Sequence, residues 1–126
     1  MNIEDVIAES IFVGIYCVFL FTILSYAKIQ TVSLFFFILG FFKHFLGFFL
    51  GLHAVYCNCS ILPNYSILFG ESILEGFAFL ILYHIFYRLI PKIWVAFTIG
   101  FILHILAEIF GLHKWFCEKR CHNAIY

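Results

Sequence analysis

Apolar residues run along this chain in long unbroken stretches rather than in alternation. Four stretches stand out, at positions 6–26, 32–56, 66–89 and 93–116. Each has about the 20 residues a helix needs to cross a hydrocarbon core about 30 Å thick. Barrel strands would show about ten residues of alternating apolar and polar character, so helices are expected, with every backbone polar group satisfied inside its own segment. The breaks between stretches are short. Ala27-Lys28-Ile29-Gln30-Thr31 parts the first two, and Arg88-Leu89-Ile90-Pro91-Lys92 parts the last two. Pro91 suits the first turn of a helix. The longest break, 57–65, carries the turn residues Pro63 and Asn64. Such short connections make chain neighbours antiparallel.

Composition sharpens this picture. The chain has 126 residues, 65% of them hydrophobic, 22% aromatic and 11% charged, with no formal net charge. A domain this small buries only about 60–70% of its surface, so a water-soluble monomer is excluded. A neutral chain also offers no electrostatic footprint for nucleic acid. The expected class is an all-α, multi-pass integral membrane protein of four transmembrane helices, with the lipid bilayer as its first partner. Four crossings put both termini on one side, the terminal face. The acidic start Met1-Asn2-Ile3-Glu4-Asp5 is unlike a secretory leader, so the first span is expected to be retained. Lys28, Arg88 and Lys92 on one face balance Lys114, Lys119 and Arg120 on the other, so counting basic residues does not orient the chain.

The two halves read as copies of one hairpin. Glu9-Ser10-Ile11-Phe12-Val13-Gly14 aligns with Glu71-Ser72-Ile73-Leu74-Glu75-Gly76. Positions 40–57 align with 100–117, with eight identities in eighteen positions: Gly, Phe, His, Leu, Gly, Leu, His and Cys. A composition this biased gives roughly one or two by chance. The expected organisation is a single domain, 1–126, with repeat 1 over about 6–57, repeat 2 over about 66–117, and a short polar tail at 118–126. Tandem two-helix units keep their orientation and are related by a two-fold axis along the membrane normal.

Polar groups inside such spans are costly and mark function. His44 and His104 fall near the middle of the second and fourth spans. His44, Gly47 and Gly51 lie within about 60° of one another on an ideal helix, and the second copy reads His104, Ala107, Gly111. Small residues at this spacing admit a neighbouring helix, so both histidines should face the bundle interior. There they would bind one haem or a metal, pass a proton, or simply hydrogen-bond a neighbouring helix. Two stacked haems are disfavoured, because His44 and His53, nine residues apart, point about 180° from each other on a continuous helix.

A second set lies at the terminal face. His53-x-x-x-Cys57 and His113-x-x-x-Cys117 each share a helical face. Together they offer the Cys2His2 chemistry of a zinc or other transition-metal site, with Glu9 and Glu71 close in depth. Disulfides, Cys57 with Cys117 or Cys59 with Cys121, are the competing reading and require an oxidising compartment. His122 lies in the same region. Glu108, one turn from His104, is placed to orient the imidazole or complete a metal site, and Lys43, whose counterpart is Leu103, is expected to reach a carboxylate such as Glu108 or to snorkel. The phenylalanine run 35–37 reads as lipid-facing bulk, and Tyr26, Tyr56, Trp94 and Trp115 as interfacial anchors.

Several enzyme classes lack their residues. Asp5 is the sole aspartate, and no His-Glu-x-x-His, Gly-x-Ser-x-Gly, phosphate loop or Cys-x-x-Cys occurs. The functional expectation is a transition-metal, haem or proton binding or transport protein rather than an enzyme. The alternatives are a structural subunit or scaffold of a larger organellar or viral-envelope assembly, paired with other membrane subunits or with a second copy, and a thiol redox protein using Cys57, Cys59, Cys117 and Cys121.

Overall fold

A computed structural model describes residues 2–61 and 64–121. Pro63, His122 and the end of the polar tail lie outside the described residues. The described chain is helical, in the order α1 (Ile3–Ser25), α2 (Val32–Phe49), α3 (Leu52–Cys57), α4 (Tyr65–Phe86), α5 (Lys92–Ile109) and α6 (Leu112–Arg120). Four of these, α1, α2, α4 and α5, are long and apolar enough to cross a membrane. Their starts follow local chemistry. The Asn2 side chain accepts the Glu4 N–H at 3.1 Å, and Glu4 and Asp5 sit in the first turn of α1, where the helix dipole favours negative charge. The Asn64 side chain accepts the Ile67 N–H to cap α4, and Pro91 stands at the N-cap of α5.

The second and fourth apolar stretches, expected as single helices, are each broken in two. Gly51 and Gly111 adopt left-handed φ angles of +80° and +73°. Their N–H groups donate back to the carbonyls of Phe48 and Glu108, the C′-glycine manner of ending a helix. Their own carbonyls then accept the N–H groups of Val55 and Trp115, opening the short helices α3 and α6.

The first and last long helices pack on each other, and the two middle ones do the same. The principal contacts join α1 to α5 and α2 to α4. Both pairs are antiparallel, since partner numbers fall along one helix as they rise along the other. Against α1, α5 sets Phe97 on Gly14, Gly100 on Val13 and His104 on Glu9. Against α2, α4 sets Glu71 by His44, Gly76 by Phe37 and Tyr83 by Phe36. Close approach depends on glycine: a Cβ at Gly40 would lie 2.7 Å from the Glu75 carbonyl oxygen, and one at Gly76 2.8 Å from that of Phe37. Both neighbours are backbone atoms with no rotamer to yield.

The core is apolar and small. It gathers Val13, Cys17, Leu20, Phe36, Leu39, Phe79, Tyr83, Val95 and Ile99. Two of the phenylalanines expected to face lipid, Phe35 and Phe36, are instead buried, with Phe36 stacked on Tyr83 at 4.5 Å between centroids. Ser10 and Ser72, about two turns into their helices and fully buried, donate to the carbonyls of Val6 and Leu68 and so need no outside partner. Ile15, Phe19, Ile23, Leu74, Ile81 and Ile85 point outward. This arrangement, with charge inside and hydrocarbon outside, suits an apolar surrounding.

Substituting Gly40→Ala or Gly76→Ala pushes α2 from α4 and should destabilise by about 1–3 kcal/mol, the usual range for overpacking. Gly70 meets nothing within 4 Å, so Gly70→Ala should be neutral or stabilising by up to about 1 kcal/mol. Thermal midpoints of the three variants in one detergent check the contrast.

Candidate functional site

The glycine breaks decide the site. On a continuous helix His53 would turn away from His44. Because the chain re-aims at Gly51, the two rings lie 4.6 Å apart between centroids, and His104 and His113 come to 6.0 Å across Gly111. The opposite-face geometry expected from ideal helical rotation therefore does not hold.

Two polar sets result. In the first, His44 Nδ1 lies 2.7 Å from Glu75 Oε2, and Nε2 lies 3.4 Å from Glu71 Oε1. Lys43 donates from Nζ to Glu75 Oε1. The expected reach of Lys43 toward Glu108 is thus replaced by Glu75, on the helix against which α2 packs. His44 thus stands between two carboxylates of α4, one of which also holds the Lys43 ammonium.

In the second set, His104 Nε2 lies 3.1 Å from Glu9 Oε2 and 4.0 Å from Glu108 Oε1. Glu108 Oε1 also sits 2.6 Å from His113 Nδ1. Glu108 and His104 are little exposed, at 12% and 10% of their side-chain surface, while Glu9 keeps 35%. Among the described residues no lysine or arginine pairs with Glu9 or Glu108.

The histidines of both sets line one cavity of about 360 Å³, to which residues of the four long helices and of α3 and α6 contribute. His44 and His104 each meet carboxylates of an opposing helix. Glu9 serves His104 and Glu71 serves His44, so each carboxylate of one half of the sequence reaches the histidine of the other half.

The cysteines are covalently joined. Cys57 is bonded to Cys117 and Cys59 to Cys121, with Cα separations of 5.3 and 5.7 Å, within the span a disulfide needs. A disulfide presents no thiolate, so in this form His53, Cys57, His113 and Cys117 do not make the Cys2His2 zinc site anticipated from their spacing. Cys17 is free and buried in the core. A group of potential ligand atoms outside the cysteines is Glu9, His104 and Glu108, all within 4.8 Å of one another.

Three polar atoms on cavity-lining residues, His53 Nδ1, the Tyr56 hydroxyl and His113 Nε2, are buried without a hydrogen-bond partner. Burial, together with nearby His44 and Lys43, pushes the His53 imidazole down to about 3. Burial followed by the charge of Glu9 pushes the Tyr56 phenol up to about 12. Tyr56, anticipated as an interfacial anchor, instead lines the cavity beside His104.

Glu75, Lys43 and Tyr56 belong to the site but were not singled out as candidate ligands by spacing. A signal for Glu75 exists: Glu71-x-x-x-Glu75 puts two carboxylates on one helix face. Tyr56 has no such signal, because its direction depends on the turn at Gly51. Comparison with protein-family models, with curated proteins and with solved structures finds no match to this chain.

Two measurements check this geometry. The chain unfolded without reductant should expose one alkylatable thiol, Cys17, and five after reduction; several reactive thiols before reduction would remove the disulfides. His53 should stay neutral at pH 5 when followed by histidine ring NMR. Its folded value lies below the ordinary 6.5, so the unfolded chain takes this proton first. Stability from this group is complete above about pH 7 and declines as pH falls toward 3.

Proposed function

We propose that this chain is a multi-pass membrane protein that binds a divalent transition-metal cation through Glu9, His104 and Glu108, with His113 held beside them by Glu108. One observation carries the reading. Two carboxylates and two imidazoles converge there, and among the described residues no lysine or arginine is paired to them. Carboxylates in an apolar bundle are costly without a partner, and a divalent cation is a partner they can hold together with the imidazoles. Mixed nitrogen and oxygen donors suit zinc, manganese or ferrous iron. Donors around zinc at about 2.1 Å lie about 3.4 Å apart in a tetrahedron, a small contraction from the separations here. Haem is the weaker occupant, since both nitrogens of His44 are engaged by carboxylates and neither is left to ligate iron.

Organisation as a duplicated hairpin fits this reading. Its support is the matched placement of Glu9 with Glu71, His44 with His104, and left-handed Gly51 with Gly111. With four helices crossing the bilayer, both termini share the side on which the disulfides lie. Disulfides persist in oxidising compartments, so that side faces the lumen, periplasm or exterior, an orientation that the basic residues leave undecided. The cation site then opens nearest the oxidising side.

Purified protein titrated calorimetrically with zinc and manganese should take up one of them, and Glu108→Gln or His104→Ala should weaken uptake at least about tenfold. Equal uptake by wild type and both variants, or none by any, would sink the proposal. The second outcome is what a purely structural subunit would give.

A further inference from the structure

The two polar sets have the same inventory. Glu71, Glu75, His44 and His53 line one side of the cavity, and His104 and His113 the other, with Glu9 and Glu108 held behind them by contact with these two rings. The second carboxylate comes from α4 in one and α5 in the other, but each set still holds two carboxylates and two imidazoles. One difference remains. Lys43 donates its ammonium to Glu75, and the aligned position in the other half is Leu103, also a cavity-lining residue.

We infer that Lys43 is a built-in cation that fills the first set, so that the cavity accepts a metal ion in the second set alone. This rests on the cation-site reading above and adds its stoichiometry and selectivity. An ammonium tethered to α2 is present at unlimited effective concentration compared with a dissolved ion. It engages Glu75, which also holds His44 Nδ1. A metal entering the first set would have to displace Lys43 from Glu75 and leave its charge unpaired in the bundle, a strongly unfavourable change. The second set offers no such obstacle, because Leu103 supplies no ammonium. The site is therefore single although its ligand types occur twice, and Lys43 is the residue that makes it so.

Lys43→Leu installs the aligned residue and should convert about one bound zinc per chain into about two, counted by elemental analysis after equilibrium dialysis of disulfide-intact, helical protein. Glu75→Gln added to Lys43→Leu should return the count to about one, and Lys43→Arg, which keeps the charge, should leave it at one. A count of one in both wild type and Lys43→Leu overturns the inference while leaving the cation site standing, as does a count of two in wild type. A count of zero in wild type and one in Lys43→Leu keeps the inference and removes the site built on Glu9. Zero in both removes both. Should Lys43→Leu not fold, Leu103→Lys gives the reciprocal test: it should abolish zinc uptake, and retained uptake overturns the inference.

Discussion

Charge inside an apolar bundle must be answered by charge or hydrogen bonding from the same bundle, because hydrocarbon offers neither. The helix pairing follows this constraint. α1 lies on α5 and α2 on α4, and these two seams carry Glu9 to His104 and Glu71 to His44. The seams close tightly because glycines stand where the backbones meet, as expected where apolar packing alone gives no preference for one neighbour over another. Buried serines close their hydrogen bonds within their own helix, so the carboxylate–histidine contacts are the polar links that specify which helix meets which.

Much of this was legible in the residues. Long unbroken apolar stretches give the starts of the four long helices within about three residues and the ends of α1 and α4 likewise, while α2 and α5 stop short at the glycine breaks. The depth of His44 and His104, and the small residues one turn apart beside them, point both toward the cavity. Glu9 and Glu71 stand out by their matched places in the two halves, and Glu108 by lying one turn from His104. Both disulfide partnerships were among the readings weighed from spacing. What failed was direction beyond the second and fourth helices. Gly51 and Gly111 sit in runs otherwise well suited to a helix, and nothing local distinguishes a glycine that admits a neighbour, such as Gly47, from one that turns left-handed. That difference depends on whether the chain beyond can find a better partner: His53 beside His44, and Cys57 bonded to Cys117, supply it. The α2–α4 seam joins consecutive spans, as short connections suggest, whereas the α1–α5 seam joins the first span to the last and has no such signal.

The aligned positions of the two halves differ in a few side chains. Val13 faces its seam as a core side chain, while Glu75 in the corresponding place holds Lys43 and His44. Glu108 stands where the other half has Phe48. An ammonium therefore reaches the carboxylates beside His44, and among the described residues none reaches those beside His104.

The disulfides have a consequence for how the chain matures. Their partners are 60 and 62 residues apart, and in each the second cysteine belongs to α6 or its cap, after the last long helix. Neither bond can form until the chain has been made through α6. The two bonds therefore lock α3 and the segment after it to α6 only once α5 has brought α6 beside them, so oxidation records that this helix has reached its place.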